Sequence, residues 1–172
     1  MSKIINAQQA AEFVKDGSSV MVGGVMVNGT PRILIDAVAE KGVKDLTIIC
    51  NDAGIPGEGT GKLLRNKQIK KFIATHIGLN PEAAEAMNSG EVEFDLVPQG
   101  TMAERMRAAG AGIGGFLTPT GIGTDVEKGK QKMTIDGKEY LLELPLRADV
   151  ALIRGSIVDK KGNVYYKGTT NN

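Results

Sequence analysis

Aromatic side chains are scarce: there is no tryptophan, and three tyrosines and four phenylalanines make up 4% of 172 residues. This argues against a platform that stacks sugars or bases on several rings. One cysteine and one histidine rule out a disulfide framework and an all-Cys/His zinc site. Charge of one sign is missing too. The chain has 21 Lys+Arg against 20 Asp+Glu, a net +1, so neither a nucleic acid nor an anionic membrane is expected as a partner held by bulk charge. The longest apolar stretch, Val20 to Val27, is far short of a membrane span. The N-terminus, Met1 to Lys15, reads as an amphipathic helix with acidic and amide residues rather than a charged-then-apolar leader. A soluble, cytoplasmic protein is expected. Cys50 ends an apolar run and reads as a buried, inert thiol.

Glycine, by contrast, is abundant: 23 of 172 residues, well above the average of about 7%. The glycines are clustered rather than periodic, which fits neither collagen nor a flexible linker. Clusters of this kind suggest loops where the backbone approaches something closely.

The elements alternate. Asn6, with Gln9 three residues on, caps a first helix that sets Ala10, Phe13 and Val14 on one face. Val20–Val22 reads as a strand buried on both faces. A Gly-rich turn, Gly23 to Gly29, leads to Thr30 as N-cap and Pro31 as first helical residue of a helix that stops at Gly42. A strand at Leu46–Cys50, a Gly-rich loop from Asn51 to Gly61 and a short helix, Lys62 to Asn66, follow. Then come a strand at Ile69–Ala74, a helix capped by Asn80-Pro81 and ended by Gly90, and a strand at Val92–Val97. Thr101 and Glu104 form a capping box for a further helix, ended by Gly110. The rhythm predicts an α/β fold with an open, mostly parallel sheet and helices on both faces. After Gly115 the texture changes. Lys132–Ile135 and Glu139–Leu144 flank Asp136-Gly137, a β-hairpin with a type I′ turn. Asp149–Ile153 is another apolar strand, and Lys160–Asn163 a turn within a second hairpin. Residues 1–172 read as a single domain.

Several stretches only imitate chemistry. Gly110 to Gly115 fits G-x-G-x-x-G, but a dinucleotide fingerprint needs a strand before it and a helix after it, and here the order is inverted. Gly57 to Leu63 resembles a P-loop, yet Pro56 stands where the first glycine belongs and Leu63 replaces the Mg²⁺-binding hydroxyl. His76 has no Cys or Asp constellation around it in sequence. No G-x-S-x-G occurs, so the hydrolase nucleophile elbow is absent. Glu82, Glu85, Glu91, Glu93 and Asp95 are most simply solvated faces.

One stretch is specific. Asp16-Gly17, the apolar Val20-Met21-Val22, then Gly23-Gly24-Val25, Gly29 and Pro31 closely resemble the N-terminal signature of family I coenzyme A transferases. The departure is Val25, where the family has Phe. Further family-like blocks follow in order: Asn51 to Gly54, His76 to Pro81, Val97 to Thr101 with Glu104-Arg105, Gly115 to Gly121, and Gly155 to Asp159 with Gly162-Asn163. The resemblance is to the α subunit of the family's acetate- or butyrate–acetoacetate-type members. It implies a chain truncated at its C-terminal end, because family subunits continue past the equivalent of Asn172.

The resemblance also implies a mechanism. A glutamate attacks the acyl-CoA thioester to give a mixed anhydride, the CoA thiolate returns to give a glutamyl-CoA thioester, and the acceptor carboxylate completes the exchange. The family carries that glutamate in a Ser-Glu-Asn-Gly motif on a β subunit. No such motif occurs here, and Glu143 lacks its context, so no catalytic residue is expected in this chain. A β-subunit partner is implied, with coenzyme A as substrate, no permanently bound cofactor and no metal. The substrate or oxyanion loop is expected at Gly23, Gly24, Val25 and Gly29, with Asn51 and Gln99 as polar contacts. Each has a plainer reading: a tight turn for the glycines, turn initiation for Asn51, a loop polar residue for Gln99. Two other functions remain open at this stage, a non-catalytic binding or regulatory module and a sugar-phosphate isomerase-like enzyme resting on the Gly57–Lys62 near-miss.

Overall fold

The computed structural model describes residues 3–171; the first two residues of the expected N-terminal helix lie outside them. The chain divides into two compact units. One comprises the chain up to Leu96 and from Ala148 onward, and the other is Val97–Arg147.

The first unit is built on a parallel sheet. Its strands are β1 (Ser19–Val22), β2 (Leu46–Cys50), β3 (Ile69–Ala74), β4 (Glu93–Leu96) and β8 (Val150–Leu152), in the order β4-β3-β2-β1-β8, every neighbouring pair parallel. The helices are α1 (Ala7–Ala11), α2 (Arg32–Lys41), α3 (Thr60–Arg65) and α4 (Pro81–Ser89). From β1 to β4 each crossover moves one strand in the same direction. Right-handed crossovers therefore place α2, α3 and α4 on one face, where the alternating rhythm alone suggested both. On that face Val20, Val22, Leu46, Ile48 and Phe72 pack with Ile35, Val38 and Leu63 of the helices. Phe72 also stacks on Phe94, ring centroids 5.2 Å apart. The burial of these aliphatic side chains drives the unit's folding, at about 1.5–3 kcal/mol for each large one.

Local chemistry sets most helix ends. The capping box at α1 is complete: Asn6 Oδ1 accepts from the Gln9 N–H at 2.8 Å and Gln9 Oε1 from the Asn6 N–H at 3.0 Å. Yet α1 stops after five residues. Lys41 Nζ donates to the Ala11 and Val14 carbonyls, which satisfies acceptors that a longer helix would have bonded itself. Phe13, expected on the apolar face, is exposed, while Val14 is buried. At α2 the expected cap is displaced. Pro31 is the N-cap and its ring offers no side-chain bond, while Thr30 Oγ1, the expected cap, turns back to the Met26 carbonyl. The helix ends at Gly42 in the left-handed conformation, as glycine permits. α3 begins at Thr60, two residues before the expected Lys62. α4 has the Asn80 cap and Pro81 start. A two-stranded hairpin, β9 (Ile157–Val158) and β10 (Val164–Tyr165), follows β8.

The second unit holds α5 (Gln99–Ala111) and an antiparallel sheet of β5 (Phe116–Thr118), β6 (Lys132–Ile135) and β7 (Lys138–Glu143), in the order β5-β7-β6. The β6–β7 turn has φ of 50° at Asp136 and 74° at Gly137, the pair of positive values that type I′ requires. The expected Thr101–Glu104 capping box does not form. α5 starts earlier, after Pro98, whose fixed φ suits a helix entrance. Thr101 is buried in the first turn, and Glu104 pairs instead with Arg107. Gly110 stays helical, and the stop comes at Gly112, φ 72°. Glu143 is 2% exposed, 2.5 Å from Lys130 Nζ and 4.0 Å from Arg105 Nε. It is a structural pin of this unit.

Candidate functional site

Chain order makes a crevice in the parallel sheet. β1 lies between β2 and β8; the chain leaves β1 toward β2, β3 and β4 and returns on the other side as β8. The carboxyl ends of β1 and β8 therefore flank a topological switch point, where open α/β sheets bind ligands. Val20 pairs with Val150 and Val22 with Leu152. The next residues, Gly23-Gly24 and Ile153-Arg154, emerge side by side. They line a cavity of about 310 Å³ with Gly29, Tyr166, Thr170 and Asn171.

The loop from Gly24 to Gly29 is held tightly. Val25 and Asn28 exchange backbone bonds of 3.0 and 2.9 Å. Gly24 has φ 114° and Gly29 φ 70°, conformations that side chains resist. A Cβ on Gly24 would collide with Thr30 Oγ1, and one on Gly29 with the Thr169 carbonyl. Between them Met26 also adopts positive φ, 57°, at a cost of about 1–2 kcal/mol for an L-residue.

Asp52 holds that conformation. It is buried, and all the groups on its carboxylate are donors. Oδ2 accepts the Met26 N–H at 2.7 Å and Asn51 Nδ2 at 3.1 Å, and Oδ1 accepts the Gly54 N–H at 2.8 Å. One carboxylate thus joins the loop after β1 to the loop after β2. Beside it Cys50 Sγ donates to the Asp52 carbonyl at 2.9 Å. Burial foremost, and the Asp52 charge next, push this thiol far above its ordinary value, so it is the inert cysteine expected from the sequence.

Of the residues singled out in sequence, Gly23, Gly24 and Gly29 meet in the cavity. Their N–H groups are not equivalent. That of Gly23 donates to the Leu152 carbonyl at 3.0 Å, which removes it as an oxyanion donor. That of Gly24 has no partner among the described residues. Val25 serves the turn. Asn51 sits at the end of β2 with one amide hydrogen committed to Asp52, while its carbonyl accepts from the Thr75 N–H and Oγ1. Gln99 lies in the second unit, exposed, as the first residue of α5.

The imitations stay imitations. Gly110–Gly115 is preceded by α5 and followed by β5. Lys62, the P-loop-like lysine, is bound to Asp36, and Glu58 to Arg32 at 3.2 Å, so the lysine of this run is paired with a carboxylate. His76 is exposed, with Thr75 Oγ1 3.4 Å from Nδ1. Among the described residues no cluster of His, Cys, Asp or Glu could hold a metal, and no helix is long and apolar enough to cross a membrane.

Sequence reading passed over two residues. Asp52 had a faint signal, an acid just past a buried strand with Gly54 two residues on, the spacing of an Asx turn. Arg154 had none, because nothing local says that β8 pairs with β1.

The sequence model of the family described as Coenzyme A transferase matches residues 4–172. The acetoacetyl-CoA:acetate/butyrate CoA transferase alpha subunit of Clostridium acetobutylicum is 55% identical over 171 residues, 99% of this chain and 78% of that protein. The acetate CoA-transferase subunit alpha of Escherichia coli K12 is 52% identical, with the same coverage. Among solved structures, an acyl-CoA transferase from E. coli O157:H7, YdiF, captured as a thioester complex with CoA, superposes with a TM-score of 0.83 at 23% identity. The match covers 96% of this chain and 36% of that longer one; at that identity it shows the fold alone. A parallel sheet with a glycine loop at its switch point, a family match across nearly the whole length and relatives above half identity lead to one conclusion: the chain belongs to the coenzyme A transferase family.

Proposed function

We propose that this chain is the α subunit of a coenzyme A transferase that moves CoA between a short-chain acyl-CoA, acetyl- or butyryl-CoA, and a carboxylic acid such as acetoacetate. The observation that carries the reading is the 55% identity, over 99% of the chain, to a subunit so named. The nucleophilic glutamate arrives on a β subunit, since these 172 residues hold no Ser-Glu-Asn-Gly motif and Glu143 is spent on Lys130. In the reaction the glutamate oxygen bonds to the acyl carbon, and the C–S bond breaks with its electron pair on the CoA sulfur. The thiolate then attacks the glutamyl carbonyl and releases the first acid as carboxylate. The incoming carboxylate reverses both steps.

This chain's part is to wall the acyl end of the site. The loop of Gly23, Gly24, Val25 and Gly29 lies where the carbonyl oxygen gains charge, and the free Gly24 N–H donates to it. A single donor of this kind is worth about 3 kcal/mol of transition-state stabilisation. Asn51, through its remaining amide hydrogen, and Gln99, on the family resemblance alone, are assigned to substrate oxygens. The test is co-expression with the β subunit, an assay of acetoacetyl-CoA formation from acetoacetate and acetyl-CoA, and borohydride trapping of the glutamyl-CoA thioester. Turnover and an adduct on the β subunit are expected, with neither from this chain alone. A pure complex that forms no adduct would overturn the reading.

A further inference from the structure

The cavity at the switch point is lined by a cation with no partner among the described residues. Arg154 is the one charged side chain among the described residues that line it. Its guanidinium makes no ion pair and no hydrogen bond to any described residue, whereas Arg32, Lys62 and Arg65 of the same unit are each paired with a carboxylate. Its place follows from the register: Arg154 is the second residue past β8, as Gly24 is the second past β1, and those strands are hydrogen-bonded neighbours up to Leu152 and Val22. Arg154 and Gly24, whose N–H is unpartnered among the described residues, thus line one cavity of about 310 Å³, and Arg154 also borders a second of about 530 Å³ over Thr30–Leu34.

We infer that Arg154 is the residue that binds the carboxylate of the acid substrate. The inference rests on the transferase reading above. A planar guanidinium matches a carboxylate in a bidentate way that no point charge reproduces, and no acidic side chain among the described residues lining the cavity competes for it. The phosphates of CoA are the other anions in the reaction. They are separated from the reacting sulfur by the whole pantetheine arm, whereas this cavity is lined by the glycine loop itself. Held by Arg154, the acid keeps a second lone pair on each carboxylate oxygen, and one of these attacks the glutamyl-CoA carbonyl. That O–C bond forms as the C–S bond breaks, and the electron pair leaves on the CoA sulfur.

The experiment uses the α–β complex with wild-type, Arg154→Gln and Arg154→Lys α subunits. Assembly is checked by size-exclusion chromatography, and Arg154, exposed and without bonds to lose, is expected to leave it intact. The glutamyl-CoA adduct is preformed with acetoacetyl-CoA and its discharge followed against acetate concentration. Arg154→Gln is expected to shift half-saturation by acetate upward about tenfold or more, Arg154→Lys to recover part of the loss, and the KM for acetoacetyl-CoA to stay within about twofold. A raised KM for acetoacetyl-CoA with unchanged acetate dependence would assign the guanidinium to CoA phosphate and overturn the inference. No change in either does the same. A wild-type complex that never forms the adduct fails differently: it overturns the transferase reading and removes the inference with it.

Discussion

Replacing Asp52 should loosen the glycine loop that its carboxylate holds, and the structure allows the cost to be worked out. The side chain is 5% exposed and receives three donors at 2.7, 2.8 and 3.1 Å. In Asp52→Ala the Gly54 N–H stays buried with no acceptor, a penalty of about 1–3 kcal/mol. The Met26 N–H is only partly buried, and water can reach it in part. The bond that held the positive φ of Met26 is lost all the same, about 0.5–1.5 kcal/mol net, and the loop recovers part of this by relaxing its strain. Together these give about 1.5–4.5 kcal/mol. Asp52→Asn keeps one acceptor for Gly54 and loses the bond to Met26, so about 1.5–3 kcal/mol is expected. Urea unfolding of the α–β complex measures both, read as a lower midpoint at unchanged slope. Because Gly24 is two residues from Met26, kcat should fall at least about tenfold in both variants, beyond what lost stability explains. An Asp52→Ala complex within about 0.5 kcal/mol of wild type, the range of neutral surface changes, would refute the role of this carboxylate.

Two further outcomes follow from the same unit. Cys50, its thiol held protonated by burial and by Asp52, should resist a thiol reagent in the folded protein and react only in denaturant; labelling at the rate of a free thiol would contradict the packing. Asp149 accepts from the Ser19 N–H at 2.8 Å and Ser19 Oγ at 2.7 Å, bonds that hold its carboxyl below the ordinary value. Its contribution is therefore full above the ordinary carboxylate value and is lost as pH falls through the lower folded value. Asp149→Asn should be less stable than wild type at neutral pH, with the gap closing on acidification; thermal unfolding across that range that shows a constant or widening gap would exclude the linkage.

The sequence by itself determined whatever is local. Val20–Val22, Leu46–Cys50 and Ile69–Ala74 are strands because buried runs of β-branched and aliphatic residues between turn signals have few other uses. Asn6, Asn80 and Gly42 mark helix ends because their side chains, or the lack of one, act on the next few backbone groups. The Asp136-Gly137 turn follows for the same reason. The ordered glycines from Gly23 to Gly29, with Pro31, were enough to resemble the family. Where two local signals competed, the structure chose. Thr30 gave its hydroxyl to the Met26 carbonyl instead of capping a helix, and Pro98 opened α5 ahead of the Thr101 cap. The site belongs to the tertiary structure. Arg154 is 130 residues from Gly24, and only the parallel pairing of β8 with β1 brings their loops to one cavity. Strand order, the availability of the Gly24 N–H beside the spent Gly23 N–H, and the reach of Asp52 back to Met26 all depend on which strands lie side by side, which no local pattern encodes.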